Sequence, residues 1–390
     1  MSFEFKKGVY YFHKDPNFNY QLNRWMTFGN IPMEDIQAAA QKITTLADWY
    51  REFYQLAAKA NKEGNVLKEA CCLRAVDFFL NYSDNNKESN YDRLTALFRE
   101  AYKKCFSEKR IIEHSVEYDG VTLPVWHVIP VTGSEKKGTI LMTGGFDCYK
   151  EELVPVMLYF SDLGYDFYYF EGPGQGEVLV KKHYPMTPEW EKPVMCVLDA
   201  FKLSDVTIIG LSLAGYLAPR AAVYDQRITR VISWGTMYDF YDVVSTRKGP
   251  AIACFIRSMV ALHCAPALNI VLGMAMKKDP YIFWGIDHGM HVMGTPSPYT
   301  YFKKLKLFSL KKIASKVTQD FLLMTGTKDH FVDMKMFYQM QKSLTHTASL
   351  TSRIFTEEEG AENHCQFGNL KLALDTMSSW ISVMDASRGI

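Results

Sequence analysis

The clearest chemistry in the chain lies in the segment VTIIGLSLAGYLAPRAAVY, where Ser212 separates a strand-like apolar run from a helix-like run. A serine at such a sharp strand-to-helix turn needs small neighbours, because the backbone is strained and passes close to adjacent elements. Gly210 and Gly215 meet this need, and Ala214 takes a place where glycine is usual. The turn exposes the hydroxyl and sets the backbone N–H of Leu213 at a helix start, where it can stabilise an oxyanion. We predict a nucleophile at Ser212 and an oxyanion donor at Leu213.

A serine nucleophile of this kind needs two partners that follow it in the order acid and then histidine, each after a later strand. Asp329 follows the apolar run FLLMTGT, and His364 lies in the loop EGAENHC after the run SRIFTEE. A carboxylate directed at the imidazole fixes its tautomer and stabilises the imidazolium that forms when the serine proton is taken. We therefore predict Ser212, Asp329 and His364 as a catalytic triad. His330 and Asp333 are the less favoured alternatives for the histidine and the acid.

The Gly-rich loop TGGFD, which follows the apolar run GTILM, is the expected source of a second oxyanion donor. Its glycines let the backbone approach a substrate, and the amide of Phe146 is the predicted donor. Asp147 and Trp234 are additional candidates for substrate binding.

Two other groups of residues resemble cofactor or metal sites without meeting their requirements. The run EGPGQGE lacks the Lys-Ser/Thr ending of a P-loop and the GxGxxG spacing of a dinucleotide fold, so we interpret it as a structural turn. His288 and His291 lack the carboxylate context of a zinc site and are expected to be solvated or to belong to a lid. No CxxC pair occurs among the 8 cysteines. We therefore expect no cofactor and no metal.

The elements that must position these residues fall into two parts of different periodicity. In residues 1–108 apolar positions recur at three- and four-residue steps, which predicts an N-terminal helical cap. Its first long helix is predicted from Ile36 to Ala57. From Arg110 the pattern alternates like two strands, joined by a hairpin turn at Asp119-Gly120.

After this hairpin, short apolar runs alternate with helical stretches as far as the end of the chain. Such alternation predicts a mostly parallel sheet of about eight strands with helices on both faces, formed by residues 109–390. In sheets of this class the chemistry lies at the carboxyl ends of the strands. The segment 240–316 is too long for an ordinary loop, so we predict a helical insertion that covers those strand ends as a lid.

The composition is that of a soluble globular protein, in which 48% of the 390 residues are hydrophobic and 22% are charged. The formal net charge of +1 does not predict binding to nucleic acid or to an anionic membrane, so we expect a small-molecule substrate as the partner. The apolar stretch from Ala251 to Met276 is interrupted by Arg257 and Pro266, so no membrane span is expected. The first residues lack the pattern of a signal peptide, and the cysteines lack regular spacing. These features favour a cytoplasmic location.

Five motifs in this order, GGFDCYKEE, EGPGQGE, GLSLAGYLAPRAA, ISWGTMYDF and EGAENHCQ, resemble a family of α/β-hydrolases. This family includes 2,6-dihydroxypseudooxynicotine hydrolase and the fungal yellowish-green pigment hydrolases that shorten a polyketide chain. The segment FNYQLNRW and the helices after it are similar to the latter, so the resemblance covers nearly the whole chain. It implies an α/β-hydrolase fold with a helical cap, a triad at Ser212, Asp329 and His364, and a possible homodimer.

The resemblance leaves the scissile bond open, because members of the family cleave either carboxylic esters or a carbon–carbon bond next to a ketone. Departure of a carbanion in the second case would benefit from a nearby acidic group. Asp147, Asp239 or Asp242 could serve, although a structural role is the simpler expectation for each. We expect a serine hydrolase that forms an acyl-enzyme with an apolar, aromatic or polyketide-like substrate. Acyl transfer or thioester release by the same triad is an alternative. A further alternative is a binding or regulatory protein that keeps the fold without turnover.

Overall fold

The computed structural model describes residues 4–29, 31–131 and 136–387, which form one eight-stranded sheet surrounded by helices. The strands of this described region are β1 (Ile111–Tyr118), β2 (Val121–Val128), β3 (Gly138–Thr143), β4 (Tyr165–Phe170), β5 (Val206–Leu211), β6 (Ile228–Trp234), β7 (Asp320–Gly326) and β8 (Ser349–Phe355).

The α-helices begin at Pro16 and end at Ser387, and short 3-10 turns occur at Lys150–Leu153, Ala314–Lys316 and His364–Gln366. The helices are α1 (Pro16–Thr27), α2 (Met33–Ala40), α3 (Leu46–Lys62), α4 (Val66–Phe79), α5 (Lys87–Ala101), α6 (Lys103–Ser107), α7 (Val154–Asp162), α8 (Gly176–Val180), α9 (Glu191–Ala200), α10 (Ala214–Tyr224), α11 (Phe240–Thr246), α12 (Pro250–Ala261), α13 (Ala265–Lys278), α14 (Pro280–Met293), α15 (Pro298–Leu305), α16 (Met334–Ser343) and α17 (Leu370–Ser387).

The sheet has the strand order β1-β2-β4-β3-β5-β6-β7-β8. β1 pairs with β2, and β2 with β4, in the antiparallel sense, whereas all pairings from β4 to β8 are parallel. The hairpin between β1 and β2 turns at Asp119 (φ 45°) and Gly120 (φ 79°), the two positive values that a tight two-residue hairpin requires. The predicted hairpin and the predicted mostly parallel sheet are confirmed.

The two faces of the sheet are covered by different parts of the chain. Side chains on a strand alternate between faces, and accordingly Ile209 of β5 belongs to one apolar cluster and Ile208 to the other. The N-terminal helices share the cluster of Ile209, to which they contribute large aromatic rings such as Trp25 and Trp49. The helices α11 to α15, which lie between β6 and β7, pack into the opposite cluster. The predicted cap and the predicted insertion therefore extend opposite apolar clusters of the core, in which α7 and α17 on one side and α9, α10 and α16 on the other contact the strands directly.

The first long helix predicted in the N-terminal region is wrong, because the structure has two helices there. α2 ends at Ala40 and α3 begins at Leu46. The break lies at Thr45, whose hydroxyl accepts the amide of Asp48 at 3.1 Å while the Asp48 carboxylate accepts the Thr45 amide at 3.0 Å. This reciprocal capping starts a new helix, although the apolar periodicity continues across it.

Among the helices in the described part of the chain, none is both long enough and apolar enough to cross a membrane.

Candidate active site

Ser212 occupies a strained turn between β5 and α10, as the sequence predicts. Its φ is +59°, a value that side-chain-bearing residues rarely adopt, and its amide donates to the carbonyl of Trp234 at 2.9 Å. A Cβ atom on Gly210 would lie 2.0 Å from the carbonyl oxygen of Ala214, and one on Gly215 would lie 2.0 Å from another backbone oxygen. Both glycines are thus required by close backbone contacts, and the turn presents the Ser212 hydroxyl at the end of the strand.

The hydroxyl of Ser212 is the first member of a hydrogen-bonded relay. Its Oγ lies 2.8 Å from Nε2 of His364, and Nδ1 of His364 lies 2.7 Å from Oδ2 of Asp329. The other carboxylate oxygen of Asp329 accepts the amides of Phe331 at 2.9 Å and Val332 at 3.0 Å. These amides hold the carboxylate in place, and the structure therefore brings the three residues predicted as a triad into one relay.

Burial and charge act in opposite directions on the two ionisable members of the relay. Burial raises the pKa of Asp329, but the charge and hydrogen bond of His364 outweigh burial and bring that pKa below its usual value. Burial lowers the pKa of His364, whereas the charge and hydrogen bond of Asp329 raise it well above its usual value. The pair therefore favours an ionised carboxylate beside an imidazolium, which is the charge arrangement that forms when the serine loses its proton.

The loops that carry Asp329 and His364 contact each other directly, which sets the geometry of the relay. A Cβ atom on Gly326, at the end of β7, would lie 2.2 Å from the carbonyl oxygen of Glu362. The amide of Lys328 donates to that same carbonyl at 2.8 Å. The acid loop and the histidine loop thus contact each other through backbone atoms within three residues of Asp329 and His364.

The prediction that Trp234 contacts the substrate is wrong, because this residue does not line the cavity in the described structure. It supports the loop that carries His364. Its ring is fully buried, and its indole N–H is directed to the carbonyl of Cys365 at 3.1 Å and to Oε1 of Gln366 at 3.0 Å. The side chain at the end of β6 therefore lies beneath the loop of His364, on the side away from the substrate space.

The glycine-rich loop after β3 lies against the turn of Ser212. A Cβ atom on Gly145 would be 2.8 Å from Cβ of Ser212 and 3.0 Å from the amide nitrogen of Leu213. Within the described residues, neither the amide of Phe146 nor that of Leu213 donates to a protein acceptor. Both predicted oxyanion donors are thus available to a ligand, and one of them lies at the start of α10, where the helix dipole favours negative charge.

A buried ionic network fixes this loop to the N-terminal helices. Arg74 of α4 donates to the carbonyl oxygen of Asp147 and lies 3.2 Å from Glu152, which also binds Arg24 of α1 at 2.8 Å. All three charged side chains of the Arg–Glu–Arg group are buried. Helices that are distant in sequence from the triad therefore position the loop that carries Phe146.

A cavity of about 480 Å³ opens in front of Ser212 and His364. Its wall is mostly aromatic and aliphatic, with contributions from the N-terminal helices, the sheet loops and the insertion. Representative side chains from these parts are Tyr20, Phe78, Phe146, Leu272, Trp284 and Phe331. A cleft of this size and character suits an organic molecule with an apolar part.

Two polar side chains on the cavity wall form a second acid–histidine contact. Asp147, predicted as a substrate contact, lines the cavity, and its Oδ1 lies 2.7 Å from Nε2 of His288. His288 lies on α14 of the insertion and is buried. His291, one turn further along, stacks on Tyr82 with ring centres 3.8 Å apart. No local pattern in the sequence indicates the Asp147–His288 contact, since the two residues come from separate parts of the chain.

The alternative residues weighed from the sequence take other places. His330 lines the cavity next to Tyr20, at 4.4 Å between ring centres, and burial lowers its pKa to about 3. Asp333 caps α16, where its side chain accepts the amide of Lys335 at 2.8 Å. Neither residue takes part in the relay, as expected. Asp239 caps α11, and its carboxylate is also bound by Lys311 at 2.9 Å.

In residues 4–29, 31–131 and 136–387, no three His, Cys, Asp or Glu side chains are grouped so that they could hold a metal ion.

A mostly parallel eight-stranded sheet that carries a Ser-His-Asp relay at its strand ends has the α/β-hydrolase fold, and the chain is a hydrolase of this fold. No protein-family model matches it. It is 27% identical to hydrolyase poxO of Penicillium oxalicum over 341 residues, 77% of this chain and 79% of that protein. It is 26% identical over 341 residues to alpha/beta hydrolase psoB of Aspergillus fumigatus, 77% of this chain and 75% of that one. It is also 27% identical to hydrolase LUC6 of a Fusarium species over 372 residues, which are 85% of this chain and 87% of that protein.

Solved structures with the same fold cover almost the whole chain. The crystal structure of 2,6-dihydroxy-pseudo-oxynicotine hydrolase matches 92% of this chain and 94% of its own, with a TM-score of 0.66 and 18% identity. AbyA5 matches 90% of both chains, with a TM-score of 0.66 and 15% identity. The predicted fold class is confirmed, as are the resemblance to fungal α/β-hydrolases and the prediction that the chain is an enzyme.

Proposed function

We propose that this hydrolase uses Ser212 as a nucleophile and cleaves an acyl bond, either a carboxylic ester or the carbon–carbon bond beside a ketone, through an acyl-enzyme. The observation that carries the proposal is the relay from Ser212 through His364 to Asp329, with contacts of 2.8 Å and 2.7 Å, at the wall of an apolar cavity. Such a relay activates a hydroxyl that is otherwise a weak nucleophile at neutral pH.

In the first step, Nε2 of His364 takes the hydroxyl proton as the Oγ of Ser212 attacks the carbonyl carbon of the substrate. The carbonyl electron pair moves to oxygen, and the resulting oxyanion accepts hydrogen bonds from the amides of Phe146 and Leu213. Each such donor accelerates acyl transfer by roughly 10²–10³-fold in well-studied hydrolases. Asp329 stabilises the imidazolium and holds it in the orientation that keeps Nε2 directed at the serine.

In the second step the oxyanion collapses and expels the leaving group, which takes the proton from His364. An ester releases an alcohol, whereas a 1,3-diketone releases the carbanion of a ketone, which is protonated as it leaves. Water then attacks the acyl-enzyme as His364 takes its proton, and the second oxyanion collapses to release a carboxylic acid. The departing Oγ of Ser212 receives the proton from His364, which regenerates the free enzyme. Asp147 is the candidate carboxylate for positioning the departing group, because it lines the cavity, whereas Asp239 and Asp242 do not.

The proposed substrate is a small organic carbonyl compound with an aromatic or polyketide-like part. The cavity volume of about 480 Å³ and its aromatic wall support this class. A homodimer and a cytoplasmic location stay predictions.

Labelling with a fluorophosphonate, followed by intact mass measurement, tests the nucleophile. We expect a single adduct on the wild type, none on Ser212→Ala, and an unchanged adduct on Ser204→Ala. Ser204 is a matched control because it is exposed and lies just before β5, at the opposite end of the same strand. Absence of an adduct on folded wild-type protein would contradict the proposal and favour a binding role.

Turnover of an aryl ester and of an aryl 1,3-diketone then distinguishes the two scissile bonds. Release of a ketone and a carboxylic acid from the diketone, lost in Ser212→Ala, identifies carbon–carbon cleavage. Partition of the acyl group towards an added alcohol at the expense of water would instead identify an acyltransferase.

A further inference from the structure

Three cationic side chains line the cavity, and Arg247 differs from the other two in its partners. Arg24 binds Glu152 at 2.8 Å, and Lys248 lies 3.5 Å from Asp279. Arg247 makes no ion pair with any carboxylate of the described residues. Among the described residues, the guanidinium of Arg247 therefore has no ion-pair partner.

The guanidinium of Arg247 lies close to the reacting groups. Its Cζ is 4.3 Å from the ring centre of Phe331, and the ring of Phe331 is 4.9 Å from that of His364. One aromatic ring thus separates the cation from the proposed catalytic base. A hydrogen bond of 3.1 Å from Nη2 to Oδ1 of Asn17 fixes the head group between the insertion and α1. Most of the five N–H groups of a guanidinium are still free to bind a ligand.

The carboxylates nearest to this cation are engaged with histidines. Asp147 lies 2.7 Å from His288, and Asp329 lies 2.7 Å from His364. Arg247 is solvent-exposed where it lines the cavity, so its head group is accessible to a bound molecule. The side chain stays cationic at any physiological pH. An anionic oxygen of a bound molecule would accept charge-assisted hydrogen bonds from it in place of water.

Tyr301 offers a second donor to such a group. It lines the same cavity as Arg247, and its side chain is buried. Burial raises the pKa of Tyr301, with the nearby Arg247 acting in the opposite direction, so the hydroxyl keeps its proton and can donate. A guanidinium together with a phenol matches the planar acceptors of a carboxylate or an ionised enol.

We infer that Arg247, fixed by Asn17 and assisted by Tyr301, binds an anionic oxygen of the substrate other than the oxygen of the scissile carbonyl. The substrate class is thereby narrowed to carbonyl compounds that also carry a carboxylate or an ionised enol. This inference rests on the proposed hydrolysis at Ser212, and it adds a specificity-determining residue to that reaction.

A matched pair of activated esters tests the inference: p-nitrophenyl hexanoate and mono-p-nitrophenyl adipate, in which a carboxylate replaces the terminal methyl group. We expect the wild type to prefer the adipate in kcat/KM, and Arg247→Gln to reduce the adipate-to-hexanoate ratio by about 10- to 100-fold, as for a lost charge-assisted hydrogen bond. Arg247→Lys should restore part of the ratio. Arg257→Gln is the matched control, because Arg257 belongs to the same insertion but pairs with Asp242 at 3.0 Å outside the cavity wall.

Competitive inhibition separates the two anionic groups. Inhibition by benzoate that weakens in Arg247→Gln identifies a carboxylate subsite, whereas the same behaviour with dimedone identifies a subsite for an ionised enol. Equal use of both esters by the wild type, or a ratio unchanged in Arg247→Gln, would overturn the inference. Fluorophosphonate labelling is measured on every variant. A wild type that is labelled but shows no preference for the adipate ester contradicts only the role of Arg247. A folded wild type that is not labelled contradicts the proposed function itself.

Discussion

Substitution of Gly145 by alanine tests the proposed oxyanion hole through a single methyl group. The added Cβ would lie 2.8 Å from both the carbonyl oxygen of Leu211 and Cβ of Ser212, whereas ordinary contacts begin at 3.4 Å. The loop must therefore retreat from the serine turn by the difference, about 0.6 Å. The neighbouring amide of Phe146 moves with it, so the oxyanion loses much of one hydrogen bond.

The size of the effect follows from this displacement. Complete loss of one oxyanion donor costs roughly 10²–10³-fold in kcat, and a misplacement of about 1 Å costs roughly 10²-fold. For Gly145→Ala we expect kcat to fall by about 30- to 100-fold on these grounds, with a smaller change in KM. The extra methyl group should also lower the free energy of unfolding by about 1–3 kcal/mol, a loss small enough for the variant to stay folded.

Steady-state kinetics with an aryl ester and the rate of fluorophosphonate labelling are the assays, and both report stabilisation of a negatively charged oxygen. The matched control is Gly273→Ala in α13, where nothing lies within 4 Å of the added Cβ. Thermal unfolding of both variants shows whether the fold is kept. A folded Gly145→Ala protein with kcat within about twofold of the wild type would refute the oxyanion role of this loop.

The remaining predictions concern pH and stability. His364 must be neutral to act as the base, and its pKa is raised, so activity should increase with pH along a titration curve whose midpoint lies above about 6.5. Asp329→Asn should lower that midpoint and reduce kcat by about 10⁴-fold, and pH–rate profiles measure both effects. Glu152→Gln should lower the free energy of unfolding by about 3–5 kcal/mol in urea titrations, since it leaves buried Arg24 without its carboxylate and buried Arg74 with Asp77 alone; a loss below about 1 kcal/mol would contradict this. Gly273→Ala should raise that free energy by about 0.4–1 kcal/mol, because alanine restricts the unfolded chain and fits the helix, and a decrease would show an unrecognised contact.

The proposed nucleophile and its partners could be predicted because their signals are local. The turn at Ser212 needs small residues within a few positions, and these appear in the sequence as glycines and an alanine. Asp329 and His364 each follow a strand, and parallel strands bring their carboxyl ends to one edge of the sheet. Chain order was therefore sufficient to indicate three residues that are far apart in sequence.

Other features could not be predicted from the sequence, because they depend on the direction in which a side chain points or on the residue at which a helix begins. Trp234 ends β6 close to the site, yet its ring lies under the histidine loop. Uniform apolar spacing predicted one helix from Ile36 to Ala57, and only the capping contact at Thr45 divides it. Periodicity records burial, whereas a helix start depends on hydrogen bonds of one or two residues.

The sequence by itself determined the parallel sheet, the strand-to-helix turn and the order of the candidate triad, since each depends on short-range patterns and on chain direction. The tertiary structure alone decided the cavity, the pairing of Asp147 with His288, and the unpaired charge of Arg247 beside the proposed catalytic base. These contacts join the N-terminal helices, the sheet loops and the insertion. Their side chains come together only when three segments pack on one edge of the sheet, and no local preference of the chain encodes that packing.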